Sequence, residues 1–308
     1  MQPPVKIGTR DSELAMWQAN QVRNLLTHVK IESELVFIKS EGDLDTVKPL
    51  YELGVQGIFT KALDAALLGN RIDIAVHSMK DVPTKLADGI RQAAVLKRGS
   101  FKDIIVYKNS GDFLEDKNGK AVIATSSIRR SAQWLHRYPN HTIENLRGNV
   151  NTRLRKVSTN EWDGAIFAAA GLERINLRPQ NSEDLDWMLP APAQGAIVIV
   201  CRDSDLDIYN YCKAFNDENA ERCTFIERSF LRELQGGCTT PISALALIEN
   251  DNITFKGSIC SYDGKIKIDV QKEFRTSEYE RAGIEAAREL LKDDKVIGIL
   301  QLKDDAGK

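Results

Sequence analysis

The sequence has no long hydrophobic run and no cysteine pattern typical of metal-binding or disulfide-stabilised proteins. No stretch of its 308 residues approaches the roughly 20 apolar residues of a membrane-spanning helix, and the N-terminus lacks the apolar core of a signal peptide. The five cysteines are odd in number and have no CxxC spacing, which argues against a disulfide framework and a zinc knuckle. The four histidines form no metal-ligand pattern with them. We therefore expect a cytoplasmic protein that has no membrane segment and binds no metal.

Acidic and basic residues are nearly equal in number, and the formal net charge is −2. Between Ala121 and Asn160, however, there are six arginines and one lysine but a single acidic residue, Glu144. One basic patch on a near-neutral chain argues against nucleic-acid binding, which usually spreads positive charge along a whole face. A small polyanion is the expected ligand.

Strand-like runs alternate with amphipathic helices through the first two thirds of the chain, a pattern typical of α/β proteins with parallel sheets. From about residue 220 a helix is followed by three strand-like runs, the hairpin signal Asp263-Gly264 and a final helix, which predicts an antiparallel α+β module. We predict three domains: residues 1–98 with 197–216, residues 102–192, and residues 219–308. The first two are expected to be related sheet domains around a cleft.

The arginines of the basic segment follow predicted strands. One pair comes after the apolar run 121–125, and others come after the run 142–146. Ligands of open α/β sheets bind at the carboxyl ends of strands, and planar guanidinium groups suit carboxylates or phosphates. Four residues are therefore predicted to bind an anion: Arg129, Arg130, Arg147 and Arg153. Arg137 and Arg155 are interpreted as solvated helix residues.

Cys238 lies in a loop of unusual composition, GGCTTP at residues 236–241. Two glycines remove side-chain bulk beside it, as expected where another molecule must approach a side chain closely. The pattern leaves two interpretations open, a reacting or modified thiol and a small buried apolar residue. The other four cysteines lie in apolar or helical runs and are predicted to be packing residues: Cys201, Cys212, Cys223 and Cys260.

Asp81 follows the predicted strand at residues 72–77, in the motif HSMKD. A carboxylate at a strand end could stabilise a developing cation or exchange protons with it. The alternative is a surface ion pair with Lys80, which would contribute little to stability. Arg10 and Ser12 hold the corresponding position after the first predicted strand.

Several motifs occur together along nearly the whole chain: GTRDS (8–12), AVHSMKDVP (75–83), TSSIRR (125–130), LRGNVNTR (146–153), AGLER (170–174), QGA (194–196) and GGC (236–238). In this order and at these separations they make the sequence similar to the porphobilinogen deaminase family. The resemblance implies a three-domain, monomeric protein whose first two domains are similar to type-2 periplasmic binding proteins. It also implies a dipyrromethane cofactor joined to Cys238 through a thioether.

The reaction implied by the resemblance is that of a transferase in heme biosynthesis. Four molecules of porphobilinogen are joined head to tail, with release of ammonia, to give the linear tetrapyrrole hydroxymethylbilane. Because each pyrrole carries an acetate and a propionate, the growing chain needs cationic partners, and loss of ammonia leaves an azafulvene-type cation that a carboxylate such as Asp81 could stabilise.

The resemblance also implies roles for individual residues. Those expected to be catalytic are Asp81, Lys80 and Arg10. Those expected to bind cofactor or substrate are Arg10, Ser12, Gln18, Phe59, Lys80, Asp81, Thr125, Ser126, Ser127, Arg129, Arg130, Arg147, Gly148, Arg153, Ala168, Arg174 and Gln194. The positions that depart from the family pattern are Gln56, Ala62, Ala193, Val200 and Gln235.

Two alternative functions fit part of the sequence. A phosphoribosyltransferase would use the arginines for phosphate, but the glycine- and threonine-rich loop that cradles phosphate is not found. A binding module that closes on an organic anion would explain the arginines but would leave Cys238 and Asp81 without a role. Only the deaminase interpretation requires a covalent adduct of two pyrrole units.

Overall fold

The computed structural model describes residues 3–39, 60–237 and 240–305. The described residues form two compact units, one comprising those up to Gly99 together with Gly195–Glu221, the other comprising Ser100–Gln194 and those from Arg222 onward. Phe59, Cys238 and the polar, glycine-bearing segment at residues 40–57 lie outside the described residues. Among the helices described, none has both the length and the apolar character needed to cross a membrane.

The first unit is built on a five-stranded sheet. Its strands are β1 (Val5–Thr9), β2 (Ser33–Phe37), β3 (Ile74–Ser78), β4 (Ile90–Val95) and β10 (Ile197–Arg202). They lie in the order β2-β1-β3-β10-β4. β1 is parallel to both β2 and β3, whereas β10 is antiparallel to β3 and β4. The carboxyl ends of β1 and β3 therefore lie at the same edge.

Three helices pack around this sheet: α1 (Glu13–His28), α2 (Lys61–Leu68) and α6 (Leu206–Lys213). α1 begins where the Ser12 hydroxyl accepts a hydrogen bond from the Ala15 N–H, which satisfies one of the free amides of the first turn. Its buried apolar residues recur at helical spacing and pack on β1 and β3. β3 ends in a short 3-10 helix, Met79–Asp81.

The second unit contains a sheet with the same pattern of strand directions. Its strands are β5 (Asp103–Tyr107), β6 (Val122–Ala124), β7 (Thr142–Glu144), β8 (Gly164–Ala168) and β9 (Ser182–Asp184). They lie in the order β7-β6-β8-β5-β9, with β6 parallel to β7 and β8 and with β5 antiparallel to β8 and β9. β5 thus takes the place in this sheet that β10 takes in the first.

Helices α3 (Ile128–Arg137), α4 (Val150–Thr159) and α5 (Ala169–Glu173) follow β6, β7 and β8 respectively. The Ser127 hydroxyl caps α3 by accepting from the Arg130 N–H, and the Asn149 side chain caps α4 by accepting from the Thr152 N–H. A short 3-10 helix, Asp112–Leu114, follows β5.

The C-terminal part of the second unit is an antiparallel module. Its strands β11 (Ile242–Glu249), β12 (Asn252–Cys260) and β13 (Lys267–Arg275) form one sheet in sequence order. Its helices are α7 (Glu218–Glu233), α8 (Tyr279–Leu290) and α9 (Asp294–Asp305), with a 3-10 helix at Thr276–Glu278. Phe230 and Phe255, both fully buried, meet in its core with ring centroids 5.0 Å apart.

The predicted fold class is confirmed: two α/β sheets rich in parallel strands are followed by a small antiparallel sheet. The predicted hairpin at Asp263-Gly264 joins β12 to β13, where Gly264 has a φ of +74°. Each sheet is rich in parallel strands but mixed, because β5 and β10 run antiparallel to their neighbours. The division into three domains stays a prediction.

Candidate active site

A cavity of about 80 Å³ lies at the edge of the first sheet where β1 and β3 end. It is lined by residues of α1, α2, β3 and the segments that follow β1 and β3: Arg10, Leu14, Ala15, Gln18, Thr60, Leu63, Val76, His77, Ser78 and Asp81. Three of the residues predicted from the sequence, Arg10, Gln18 and Asp81, are thus brought to one cavity. Its wall combines a carboxylate and a guanidinium with apolar side chains.

The predicted residues of this unit differ in how they are held. Gln18 is buried and donates from Nε2 to the Ser78 hydroxyl at 2.8 Å, which fixes its amide beside the cavity. Asp81 is half-buried, and its carboxylate makes no hydrogen bond or ion pair within the described part of the chain. The alternative of an ion pair with Lys80 is therefore not observed. Ser12 and Lys80 do not line the cavity, and the Ser12 hydroxyl caps α1.

His77 also lines this cavity, although it was not predicted as a site residue. Its side chain is only 7% exposed, and Nε2 is buried without a hydrogen-bond partner among the described residues. Burial, followed by the positive charge of Arg10, lowers the pKa of His77 to about 4. The imidazole is therefore uncharged at neutral pH.

In the second unit, Asp103 at the start of β5 holds three predicted residues. Because β5 is antiparallel to β8, Asp103 pairs with Ala168 and lies at the edge where β6 and β8 end. Its Oδ1 accepts from Arg130 at 3.0 Å (Nε) and 2.7 Å (Nη2) and from Gln194 Nε2 at 2.9 Å. Its Oδ2 lies 2.8 Å from Arg129 Nη1. All four groups are buried.

The two adjacent arginines use their guanidinium groups differently. Arg130 donates from three nitrogens, two to Asp103 and one to the Ile166 carbonyl. Arg129 donates from Nη1 to the Leu189 carbonyl at 2.8 Å, so its contact with Asp103 is chiefly ionic. Nε of Arg129 is buried and has no hydrogen-bond partner in the described ranges. Burial lowers the pKa of Arg129, and the Asp103 carboxylate opposes this shift.

Polar residues follow β6 as the sequence predicts. Thr125 is buried, and its hydroxyl accepts from the Ser127 N–H at 3.2 Å. The Ser126 hydroxyl contacts the Leu146 carbonyl at 2.5 Å, which ties the end of β6 to the segment after β7. Since β6 is parallel to β7, these segments lie at the same edge of the sheet.

The segment after β7 carries two further predicted arginines. Arg147 is buried, and Arg153 on α4 donates from Nε to the Gly148 carbonyl at 2.7 Å. Gly148 has a φ of +112°, and a Cβ atom there would lie 2.8 Å from Cγ2 of Thr152, so a residue with a side chain would be strained at this position. Ala168 ends β8. At the end of α5, burial lowers the pKa of Arg174 to about 10, opposed by Glu173.

Two interpretations of the remaining arginines have different outcomes. Arg155 is exposed, as predicted. Arg137 was wrongly interpreted as a solvated helix residue: it is half-buried, and its guanidinium carbon lies 4.9 Å from the centroid of the Trp187 ring. The aromatic residues around α3 give it a cation–π partner that local sequence could not indicate.

The four described cysteines are all buried and form no disulfide with one another, as packing residues should. Burial raises the pKa of Cys201 and Cys260 to about 11 and that of Cys212 to about 12. These thiols therefore stay protonated near neutral pH and are poor nucleophiles.

Two functional candidates were missed from sequence, His77 and Asp103. His77 was part of a recognised motif, but nothing in its local sequence shows that its ring borders a cavity. Asp103 begins an apolar strand, IIVY, and an acidic residue just before such a run was the only signal available.

The fold is that of an α/β protein with polar groups at its strand ends: one unit has a cavity that Arg10 and Asp81 line, and the other has buried arginines around Asp103. Residues 5–210 match the family model "Porphobilinogen deaminase, dipyromethane cofactor binding domain", and residues 221–292 match "Porphobilinogen deaminase, C-terminal domain". The chain belongs to the porphobilinogen deaminase family, whose members are transferases.

Individual relatives agree with the family models. The chain is 40% identical over 300 residues to the porphobilinogen deaminase of Chlorobium phaeobacteroides, covering 95% of this chain and 96% of that one. It is 41% identical over 285 residues to the chloroplastic porphobilinogen deaminase of Oryza sativa, covering 90% and 78%. Among solved structures it matches a probable amino-acid ABC transporter extracellular-binding protein of Bacillus subtilis, ytmK, with a TM-score of 0.45 and 12% identity, covering 70% and 91%.

Proposed function

We propose that this protein condenses four molecules of porphobilinogen head to tail into hydroxymethylbilane, on a dipyrromethane cofactor bound covalently to Cys238. The proposal rests chiefly on one observation: a family-matched cofactor-binding domain carries a half-buried carboxylate, Asp81, beside a guanidinium in a cavity at the strand ends. Family membership argues against the phosphoribosyltransferase alternative and against a binding module without chemistry.

In each condensation the bond between the aminomethyl carbon and its nitrogen breaks, and the nitrogen leaves as ammonia. A new carbon–carbon bond joins that methylene to the free α-carbon of the acceptor pyrrole, which gives up its proton. Release of the product would require water, which supplies the hydroxyl group of hydroxymethylbilane as the bond to the primer breaks. Positive charge develops on the methylene and its ring as the nitrogen departs. A fixed carboxylate stabilises such charge most strongly when it is partly withdrawn from water, as Asp81 is.

Asp81 is suited to this task because no other described side chain neutralises it. Its carboxylate can accept a hydrogen bond from a pyrrole N–H and can take part in proton transfer. Arg10, on the same cavity, can bind a carboxylate of the pyrrole ring and so orient it towards Asp81. Lys80 and Ser12 are proposed to support binding from outside the cavity lining.

The arginine-rich edge of the second unit fits a cofactor that carries carboxylates. Asp103 offers one negative charge to two buried guanidinium groups, so one positive charge remains uncompensated within that cluster. Nε of Arg129 has no hydrogen-bond partner among the described residues. Because Nε and Nη2 form one edge of the guanidinium fork that binds carboxylates, this edge is the proposed contact for a carboxylate of the cofactor. When bound, the dipyrromethane supplies the pyrrole to which the first substrate is joined.

Other predicted residues are assigned to binding. Arg147, Arg153 and Arg174 would hold further carboxylates. The backbone and hydroxyl groups of the segments after β6, β7 and β8 would line the same edge: Thr125, Ser126, Ser127, Gly148 and Ala168. Gln194 is proposed to act through Asp103, since its amide is bound to that carboxylate. Phe59, the monomeric state and the cytoplasmic location remain predictions.

The proposal is tested at Asp81. Asp81→Asn keeps shape but loses the charge, and it should slow single-turnover ammonia release by about 100–1,000-fold. Asp81→Glu keeps the charge but displaces it by one methylene, and its rate should fall between those of wild type and Asn. Both variants should fold and should still carry the cofactor by mass.

The matched control is Asp11, an exposed acid just before α1 that does not line the cavity. Asp11→Asn should release ammonia at the wild-type rate. If the Asp81 and Asp11 variants performed alike, Asp81 would have no part in the mechanism.

A further inference from the structure

His77 has an environment that sets it apart from an ordinary core histidine. It lies on β3, the central strand of its sheet, and its ring borders the cavity that also contains Arg10 and Asp81. Only 7% of its surface is exposed to solvent, yet Nε2 has no hydrogen-bond partner among the described residues. A buried polar atom that stays unsatisfied destabilises the folded protein, so such atoms usually have a partner.

A second buried histidine provides a comparison within the same protein. His141 is 5% exposed, and its Nε2 is also without a partner in the described residues. Its ring, however, is stacked on Tyr138 at 4.8 Å and accepts from the Trp134 indole at 3.2 Å. His141 is therefore fixed by an aromatic cluster and does not line the cavity. His77, in contrast, borders a cavity of about 80 Å³ whose lining also includes Arg10, Gln18 and Asp81.

The charge state of His77 matters for the chemistry of this cavity. Burial and Arg10 keep its imidazole neutral, so it can donate or accept one hydrogen bond without adding a second positive charge. A cationic imidazole would oppose the positive charge that develops next to Asp81 during loss of ammonia.

We propose that His77 is a ligand-contacting residue whose imidazole hydrogen-bonds, through Nε2, a polar group of the pyrrole ring held beside Asp81. This inference rests on the proposed function, and it adds a substrate contact that orients the ring while leaving Asp81 as the charged partner of the reacting carbon.

The direct test is ¹⁵N NMR of protein labelled at histidine, recorded before and after addition of porphobilinogen. The chain has four histidines, and the signals that disappear in His77→Gln identify His77. The Nε2 signal of His77 should shift when porphobilinogen is added, because a hydrogen bond forms at that nitrogen. The Nε2 signal of His141 should stay in place.

Kinetics of two variants provide an independent readout. His77→Gln retains an uncharged hydrogen-bonding group near the position of Nε2 and should keep kcat/KM within about threefold of wild type. His77→Leu removes the group, and kcat/KM should fall by about 2–13-fold, the value of one neutral hydrogen bond. Equal thermal midpoints for the two variants would show that the difference is not one of folding.

An unchanged His77 signal in protein that does turn over porphobilinogen would overturn this inference and leave the proposed function intact. Equal kcat/KM values for the Gln and Leu variants would overturn it as well. If the protein neither gained a pyrrole adduct nor released ammonia, the proposed function itself would fail, and the assignment of His77 would fail with it.

Discussion

Arg129 and Arg130 show how two identical neighbours in sequence acquire different roles through their contacts. Both are buried and both contact Asp103. All three guanidinium nitrogens of Arg130 donate hydrogen bonds to protein acceptors, whereas Nε of Arg129 has no hydrogen-bond partner among the described residues. Removal of either guanidinium would break hydrogen bonds to buried acceptors, and a buried group left unsatisfied typically costs about 1–3 kcal/mol. Truncation would therefore mix folding with binding, and a substitution that keeps the charge is more informative.

Arg129→Lys separates the effect on folding from the effect on cofactor binding. A lysine retains the positive charge near Asp103 but lacks the second edge of the guanidinium fork. We expect the variant to fold but to load the cofactor about 10–150-fold more slowly, the value of one charge-assisted contact of about 1.5–3 kcal/mol. The measurement is the time course of adduct formation by intact mass after addition of porphobilinogen.

Arg155→Lys is the control, because Arg155 is an exposed arginine on α4. It should load the cofactor at the wild-type rate. A loading rate for Arg129→Lys equal to that of Arg155→Lys would remove Arg129 from the anion site.

At the scale of elements, the site depends on tight connections between strands and the helices that follow them. Gly148 joins β7 to α4 in a conformation that residues with side chains avoid, and its carbonyl accepts from Arg153. The Asn149 cap starts α4 at the next residue. This connection therefore sets the position of both Arg147 and Arg153.

Gly148→Ala should lower the thermal midpoint, because a positive φ and a Cβ contact of 2.8 Å together cost about 1–3 kcal/mol. It should also slow turnover, since the arginine-bearing segment must shift. Gly298→Ala is the matched control. Gly298 lies exposed within α9 with open space around it, so alanine should stabilise the protein by up to about 1 kcal/mol. Midpoints that move in the same direction for both variants would contradict this account.

Local sequence signals were sufficient to predict elements that begin or end with a capping residue or a turn motif. Asp263-Gly264 predicted the turn between β12 and β13, and the Ser12 cap with the apolar spacing behind it is a local signal of the same kind for α1. β9 was missed because it is a three-residue edge strand, and β4 because Arg91 and Gln92 interrupt its apolar pattern. The directions of β5 and β10 depend on which distant strands they join, which periodicity does not report.

At the scale of the whole molecule, the sequence identified most of the proposed site residues but not their grouping. Motifs placed Arg129, Arg130 and Gln194 in the family pattern. Their convergence on Asp103 depends on the register that pairs β5 with β8 and on a loop more than 90 residues away from Asp103 in sequence. Such contacts form only in the folded chain, so local sequence patterns do not predict them. The same holds for His77, whose importance emerges only with the cavity beside it.

The central claim, a pyrrole primer bound through one thiol, is tested most directly by intact mass spectrometry of the purified protein after incubation with porphobilinogen. We expect the wild-type chain to exceed its sequence mass of 34.5 kDa by a covalent adduct of at least two pyrrole units. Cys238→Ala should show the sequence mass alone, whereas alanine variants of the buried thiols Cys201, Cys212, Cys223 and Cys260 should keep the adduct. A wild-type protein that gains no pyrrole mass, or an adduct that survives in Cys238→Ala, would contradict the account.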